Sequence, residues 1–129
     1  MFYVSWILGF LVLSGTGMLW YSKLLFGRQW LSLQGFTAEE IKGRGKAMAL
    51  GILMSLVISG TINWLVSENH LSLFGAVELA LFTWVGLIGP FHANDVIFGK
   101  KPWALFWLDS GYHVVGLLLV GLISSHFIG

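Results

Sequence analysis

Four long runs of this chain are nearly free of charge, and each is about the length needed to cross a lipid bilayer. Phe2 to about Tyr21 and Ala47 to about Val66 contain no charged residue. The third run, about Leu71 to Phe91, contains one acid, Glu78. The fourth, about Trp103 to Phe127, contains Asp109 and His113. A spanning helix needs roughly 20 largely apolar residues, and it must satisfy its own backbone donors and acceptors because no water is there to do so. The expected fold is therefore all-α: an integral membrane four-helix bundle forming a single domain over residues 1–129, with the lipid bilayer as its first partner. Charged residues make up only 10% of the chain and apolar ones 57%, whereas a soluble domain carries roughly a quarter charged.

The basic residues orient the bundle. All seven Lys and Arg residues fall in two gaps between the runs. Lys23, Arg28, Lys42, Arg44 and Lys46 separate the first run from the second, and Lys100 and Lys101 separate the third from the fourth. Membrane proteins retain basic residues on the cytoplasmic side of short loops. This predicts both termini outside, cytoplasmic loops at about 22–46 and 92–102, and a multi-pass location in the inner (plasma) membrane. The first base, Lys23, follows the first run instead of preceding it, so that run reads as a span and not as a cleaved signal. A net charge of +1 offers no nucleic-acid footprint. The absence of cysteine removes disulfides and thiolate chemistry.

Local signals subdivide the connections. Thr37 with Glu40 forms a capping box, flanked by a Phe36–Ile41 staple, which predicts one short cytoplasmic helix starting near Ala38 between the first two spans. Gly89-Pro90 predicts the end of the third helix, since proline lacks a donor and disfavours helix in the residue before it. The short connection Ser67 to His70 makes the second and third spans an antiparallel hairpin.

Several polar or small residues inside the runs need an account. Gly51, Ser55 and Ser59 belong to a four-residue series of small residues that ends at Asn63. Such a ridge lets helix backbones approach closely, within a subunit or between subunits. Asp109 and His113 are four apart and share a helix face, with Tyr112 beside them. They lie roughly 9 and 15 Å along the helix from Trp103, deep in the bilayer. An unpaired charge there costs at least about 2.5 kcal/mol, so both should face the bundle interior and contact each other, directly or through water, or meet polar groups of the first and third spans. As a functional pair, His113 would titrate and Asp109 would orient it; as a structural pair, they would fix helix packing. Glu78 should lie level with Gly60 and near Asn63, either as a carboxylate in an outward cavity or as a hydrogen-bonded link between the second and third spans. His92 and Asp95 have metal-compatible spacing, and Asp109 could approach them from the next helix across the short loop, but catalytic zinc usually takes three ligands of settled geometry and no HExxH pattern is present. No metal site is expected. No nucleotide-binding loop, nucleophile elbow or catalytic triad is present, so neither a cofactor nor an enzyme activity is expected.

The chain ends its first span with Leu19-Trp20-Tyr21-Ser22, followed by Leu25-Phe26-Gly27 and Trp30. It opens its fourth with Leu108-Asp109-Ser110-Gly111-Tyr112-His113. These motifs, with four spans in this length, resemble the bacterial four-helix membrane family catalogued as domain of unknown function 1761. The resemblance covers nearly the whole chain and implies fold and membrane location without an activity. It also implies that Trp20, Tyr21, Ser22, Asp109 and Tyr112 are the positions to test first. The expected function is an oligomeric transporter or channel for a proton or small solute, using the buried Asp109/His113 pair. Its rival is a structural or accessory membrane subunit. A homo-oligomer is expected because four helices of one subunit enclose little space. The topology has a direct test: on intact cells, Glu68→Cys should react with an impermeant thiol reagent and Gln34→Cys should not. The opposite labelling would invert the bundle.

Overall fold

The computed structural model describes residues 1–36 and 45–128. Among them all regular structure is helical: α1 (Phe2–Trp20), α2 (Gly27–Gln34), α3 (Gly45–Glu68), α4 (Leu73–Phe98) and α5 (Trp103–Ile128). Four of these, all but α2, are long and apolar enough to cross a membrane. Leu11, Leu53, Phe82 and Leu122 are among the many large apolar side chains left exposed on them, as expected of surfaces that meet acyl chains instead of water. The capping box at Thr37 and Glu40, and the helix start expected near Ala38, lie outside the described residues.

The short helix that is described between the first two spans, α2, sits upstream of that signal. It stops in a Schellman motif. Gly35 adopts a left-handed φ of 77°, its N–H bonds to Ser32 O at 3.2 Å, and the Phe36 N–H bonds to Leu31 O at 3.1 Å.

Pro90 does not end the third span. The helix widens into a π-helical turn over Trp84–Ile88, and the Gly89 N–H closes onto Trp84 O. Pro90 then falls in the first turn of the resumed α-helix, Gly89–Phe98, where its missing donor is tolerated. The span expected to stop near residue 91 therefore continues to Phe98. His92, Asn94 and Asp95 are helical and do not lie in a loop.

The centre of the fold is α5. It packs along α1, α3 and α4, and α2 rests on its first turns. The core cluster joins Leu13 of α1, Ile62 and Val66 of α3, Ala76 and Ala80 of α4, and Leu117 and Val120 of α5. Close approach is built from small residues. Leu13 Cδ1 comes within 2.5 Å of where a Cβ on Gly116 would stand, and the Ala76 carbonyl lies 3.3 Å from that of Gly121. Although α3 and α4 are consecutive, they barely touch, because α5 lies between them. Glu78 is exposed on α4, and the hydrogen bonds of Asn63 go to Ser5 and Ser59 instead. A short connection makes two helices antiparallel; it does not make them pack along their length.

At the end away from the basic residues, α1 and α3 form a tight polar seam. The Ser5 hydroxyl donates to Asn63 Oδ1, the Ser59 hydroxyl donates to Trp6 O at 2.8 Å, and the Trp6 indole donates to Leu56 O at 2.8 Å. Ser5, Ser59 and Asn63 are fully buried. Toward the basic end the two helices diverge. Ser55 is still buried, but Gly51 is exposed and has open space where a Cβ would be. The small-residue ridge is thus a contact through Ser59 and Asn63 and is not one at Gly51 within the subunit. Gly51 instead faces the cleft that opens where α1 and α3 part.

Gly9→Ala and Gly51→Ala should therefore differ. A Cβ at Gly9 runs into Ser59 Oγ, so this change should cost about 1–3 kcal/mol through overpacking. Gly51→Ala should be neutral or stabilising by up to about 1 kcal/mol from helix propensity. Thermal unfolding of the two variants in detergent would show this, and equal losses would contradict the divergence of α1 from α3.

Candidate functional site

Where α1 and α3 diverge, aromatic and ionisable side chains take the place of small ones. Asp109, buried on α5, is the centre of the cluster. The Tyr21 hydroxyl, at the C-cap of α1, donates to Asp109 Oδ1 at 2.6 Å. His92 Nε2, on the continued part of α4, lies 3.2 Å from Asp109 Oδ2, an ion-pair distance in a geometry that falls short of a hydrogen bond. The His92 ring stacks on Phe106, with centroids 5.6 Å apart, and meets His113 edge-on at 5.3 Å. Tyr112 donates to Leu13 O at 3.2 Å and stands edge-on to Tyr21 at 5.6 Å.

Of the contacts expected for Asp109, the structure shows those with polar groups of the first and third spans, Tyr21 and His92, and no direct hydrogen bond to His113. Sharing a helix face brings two side chains near each other, but the carboxylate is already engaged by groups from two other helices. His92 reaches it because α4 carries on past Pro90. His113 instead faces His92, and its buried Nδ1 has no hydrogen-bond partner among the described residues.

The cluster opens into a vestibule of about 720 Å³ at the basic end, reached by Asp109, Tyr112 and His113 from α5 and by Met48 and Gly51 from α3. Lys23 and Arg28 also border it. A second cleft, about 460 Å³, runs between the diverging α1 and α3 over Tyr112. It is lined by Ser14, whose buried hydroxyl has no hydrogen-bond partner among the described residues. Buried polar atoms without protein partners are where bound water or a ligand is expected.

The other residues singled out from the sequence divide between site and scaffold. Trp20 braces the cluster: its indole donates to Leu108 O at 3.1 Å, and its ring fills the space beside Gly111, 2.6 Å from where a Cβ would stand. Ser22 is a local turn residue, donating to Leu19 O at 2.7 Å and accepting from the Leu24 N–H. Ser55 and Gly51 line the cleft, while Ser59 and Asn63 belong to the closed seam at the other end. Glu78 lies outside the cluster, on the exposed face of α4. The approach of Asp109 to His92 from the next helix, considered from the sequence only as part of a metal set with Asp95, is realised as a pairing of imidazole and carboxylate.

A family model described as a protein of unknown function, DUF1761, matches residues 4–125. The chain belongs to that family. No curated protein and no solved structure matches it. The stretch shared with DUF1761 includes all five ionisable members of the cluster: Tyr21, His92, Asp109, Tyr112 and His113. The family description names no activity, so any function rests on the geometry of these groups.

Tyr21→Phe isolates one contact. It removes the donor to Asp109 and leaves the ring packing intact, and should lower stability by about 1–3 kcal/mol, the range for a buried hydrogen bond to an ionisable group. Chemical or thermal unfolding in detergent measures it. A loss no greater than that from the exposed control Tyr3→Phe would mean the bond carries no weight.

Proposed function

We propose that this multi-pass membrane protein carries a proton or a proton-linked small solute through its basic-end vestibule, with Asp109, His92 and His113 as the proton-handling groups. The observation that favours this reading is the vestibule itself: an open cavity reaches a buried carboxylate and an imidazole. A purely structural pair would sit in a dry, fully partnered core. Ionisable groups inside membrane spans mark ion or proton pathways by default, and imidazole changes charge in the physiological pH range. Lys23 and Arg28 border its mouth, which by the positive-inside rule supports a cytoplasmic opening in the plasma membrane.

Toward the other face the route is closed in this conformation. The apolar cluster of Leu13, Ile62, Leu117 and Val120, and the Ser5–Asn63–Ser59 seam beyond it, fill the space between the helices. Transport would therefore require α1 and α3 to part at that seam, in an alternating-access motion pivoting on the core. A homo-oligomer fits this scheme, since a second copy could cover the exposed carboxylate of Glu78. The same exposed Glu78 favours the rival reading, an accessory subunit whose α4 face docks on another membrane protein.

Reconstitution separates the two. In proteoliposomes with an imposed pH gradient, the wild type should move protons, and Asp109→Asn and His92→Gln should each lower the flux at least tenfold. His113→Leu should abolish it with little loss of thermal stability. Under the accessory reading no flux exists to lose, and these changes only destabilise the fold.

A further inference from the structure

A groove on the other side of α2 has no part in the transport reading. It runs between α2 and the first turns of α5, with a volume of about 730 Å³. Trp20, Phe26, Leu33 and Trp107 wall it, and Arg28 and Ser32 lie along its rim. Its position fixes its depth. Trp20 is the last residue of α1, and Ala104 to Leu108 lie in the first turns of α5. The groove therefore starts at the bilayer surface and reaches inward past the level where interfacial tryptophans sit.

The rim and the walls ask for different chemistry. Arg28 is exposed and has no partner among the described residues. Lys101, at the same end, is already engaged: its ammonium donates to Gln34 O at 3.0 Å and lies 5.7 Å from the centre of the Phe36 ring. Below Arg28 the walls are aromatic and aliphatic, and Trp107 is 66% exposed toward the surroundings of the bundle. A guanidinium over an apolar trough is complementary to a phosphate over an acyl chain, since guanidinium binds phosphate oxygens bidentately. The trough faces the bilayer, where acyl chains are always at hand, so its occupant comes from the lipid and not from solution. A zwitterionic headgroup would bring its own cation close to Arg28, whereas an anionic one brings none.

We propose that this groove is a binding site for an anionic phospholipid, its phosphate on Arg28 and one acyl chain between α2 and Trp107 of α5. A bound lipid would hold α2 against α5 and so brace one wall of the vestibule.

Native mass spectrometry of the full chain in detergent, titrated with phosphatidylglycerol or phosphatidylcholine, tests the site. Phosphatidylglycerol should bind the wild type in preference. Arg28→Ala should reduce that preference about fivefold, the loss of one interfacial base, and Arg28→Lys should restore part of it. Because Arg28 also borders the vestibule, Ala104→Trp provides a second arm: it fills the groove without touching charge and should lower retention of both lipids. Lys46→Ala, an exposed base at the same end but outside the groove, should change nothing. Equal binding of the two lipids by the wild type would overturn the proposal. So would equal effects of Arg28→Ala and Lys46→Ala, which would indicate only a diffuse basic surface, or full retention by Ala104→Trp. If Ala104→Trp fails to fold, the Arg28→Ala and Lys46→Ala comparison still decides.

Discussion

Everything in this fold depends on how closely other helices can approach α5. In a bilayer the lipid chains are as apolar as leucine, so helices gain little from hiding apolar surface from water and must gain from dense contact and hydrogen bonds. Here glycines supply the room. Gly111 admits the ring of Trp20, Gly116 admits Leu13, and Gly121 lets the Ala76 backbone come close. One helix thereby serves as the common wall for three others, and the polar groups it carries are met from several directions at once. Asp109 is reached from α1 by Tyr21 and from α4 by His92 because both helices lie against the same stretch of α5.

The bundle has unlike halves. One end is closed by short polar side chains, Ser5, Ser59 and Asn63, which bond across the α1–α3 seam and leave no space. At the basic end bulky aromatic residues stand between the helices and hold them apart, as Tyr112 does by bridging from α5 to Leu13 O. Side-chain size along α1, α3 and α5 thus creates the cavity in which the ionisable cluster sits. The cluster and the cavity share one cause.

The spans were legible because apolarity over about 20 residues is a demand of the solvent, independent of how helices later arrange themselves. Sites are a matter of arrangement, and there sequence reasoning reached only what lies along one helix. The four-residue spacing of Asp109 and His113 correctly put both on the cluster side of α5, but no spacing within α5 reveals a partner carried by α4. The proline rule failed at Pro90 because it describes a regular α-helix, whereas a π-turn ending two residues upstream leaves Pro90 in a first turn, where the missing donor is tolerated. The sequence nonetheless allowed Asp109 to approach His92 across the loop, though as a metal set and not as a pair. Glu78 was misplaced for a related reason, since adjacency in the chain was read as adjacency in space. By contrast, Tyr21 was flagged through a family motif and proved to be the residue that bonds Asp109.

The dependence of α4 on α5 also bears on how the protein is made. A membrane chain emerges from the ribosome span by span, and α1 and α3 can dock on each other as soon as both are in the bilayer. Helix α4 has no such opportunity, because the partner along which it packs is the span synthesised after it. Until α5 arrives, α4 must wait in the lipid with His92 lacking Asp109 and Phe106, the side chains it meets in the finished fold. The seating of α4 in the bundle is therefore deferred until the span that follows it has entered the bilayer.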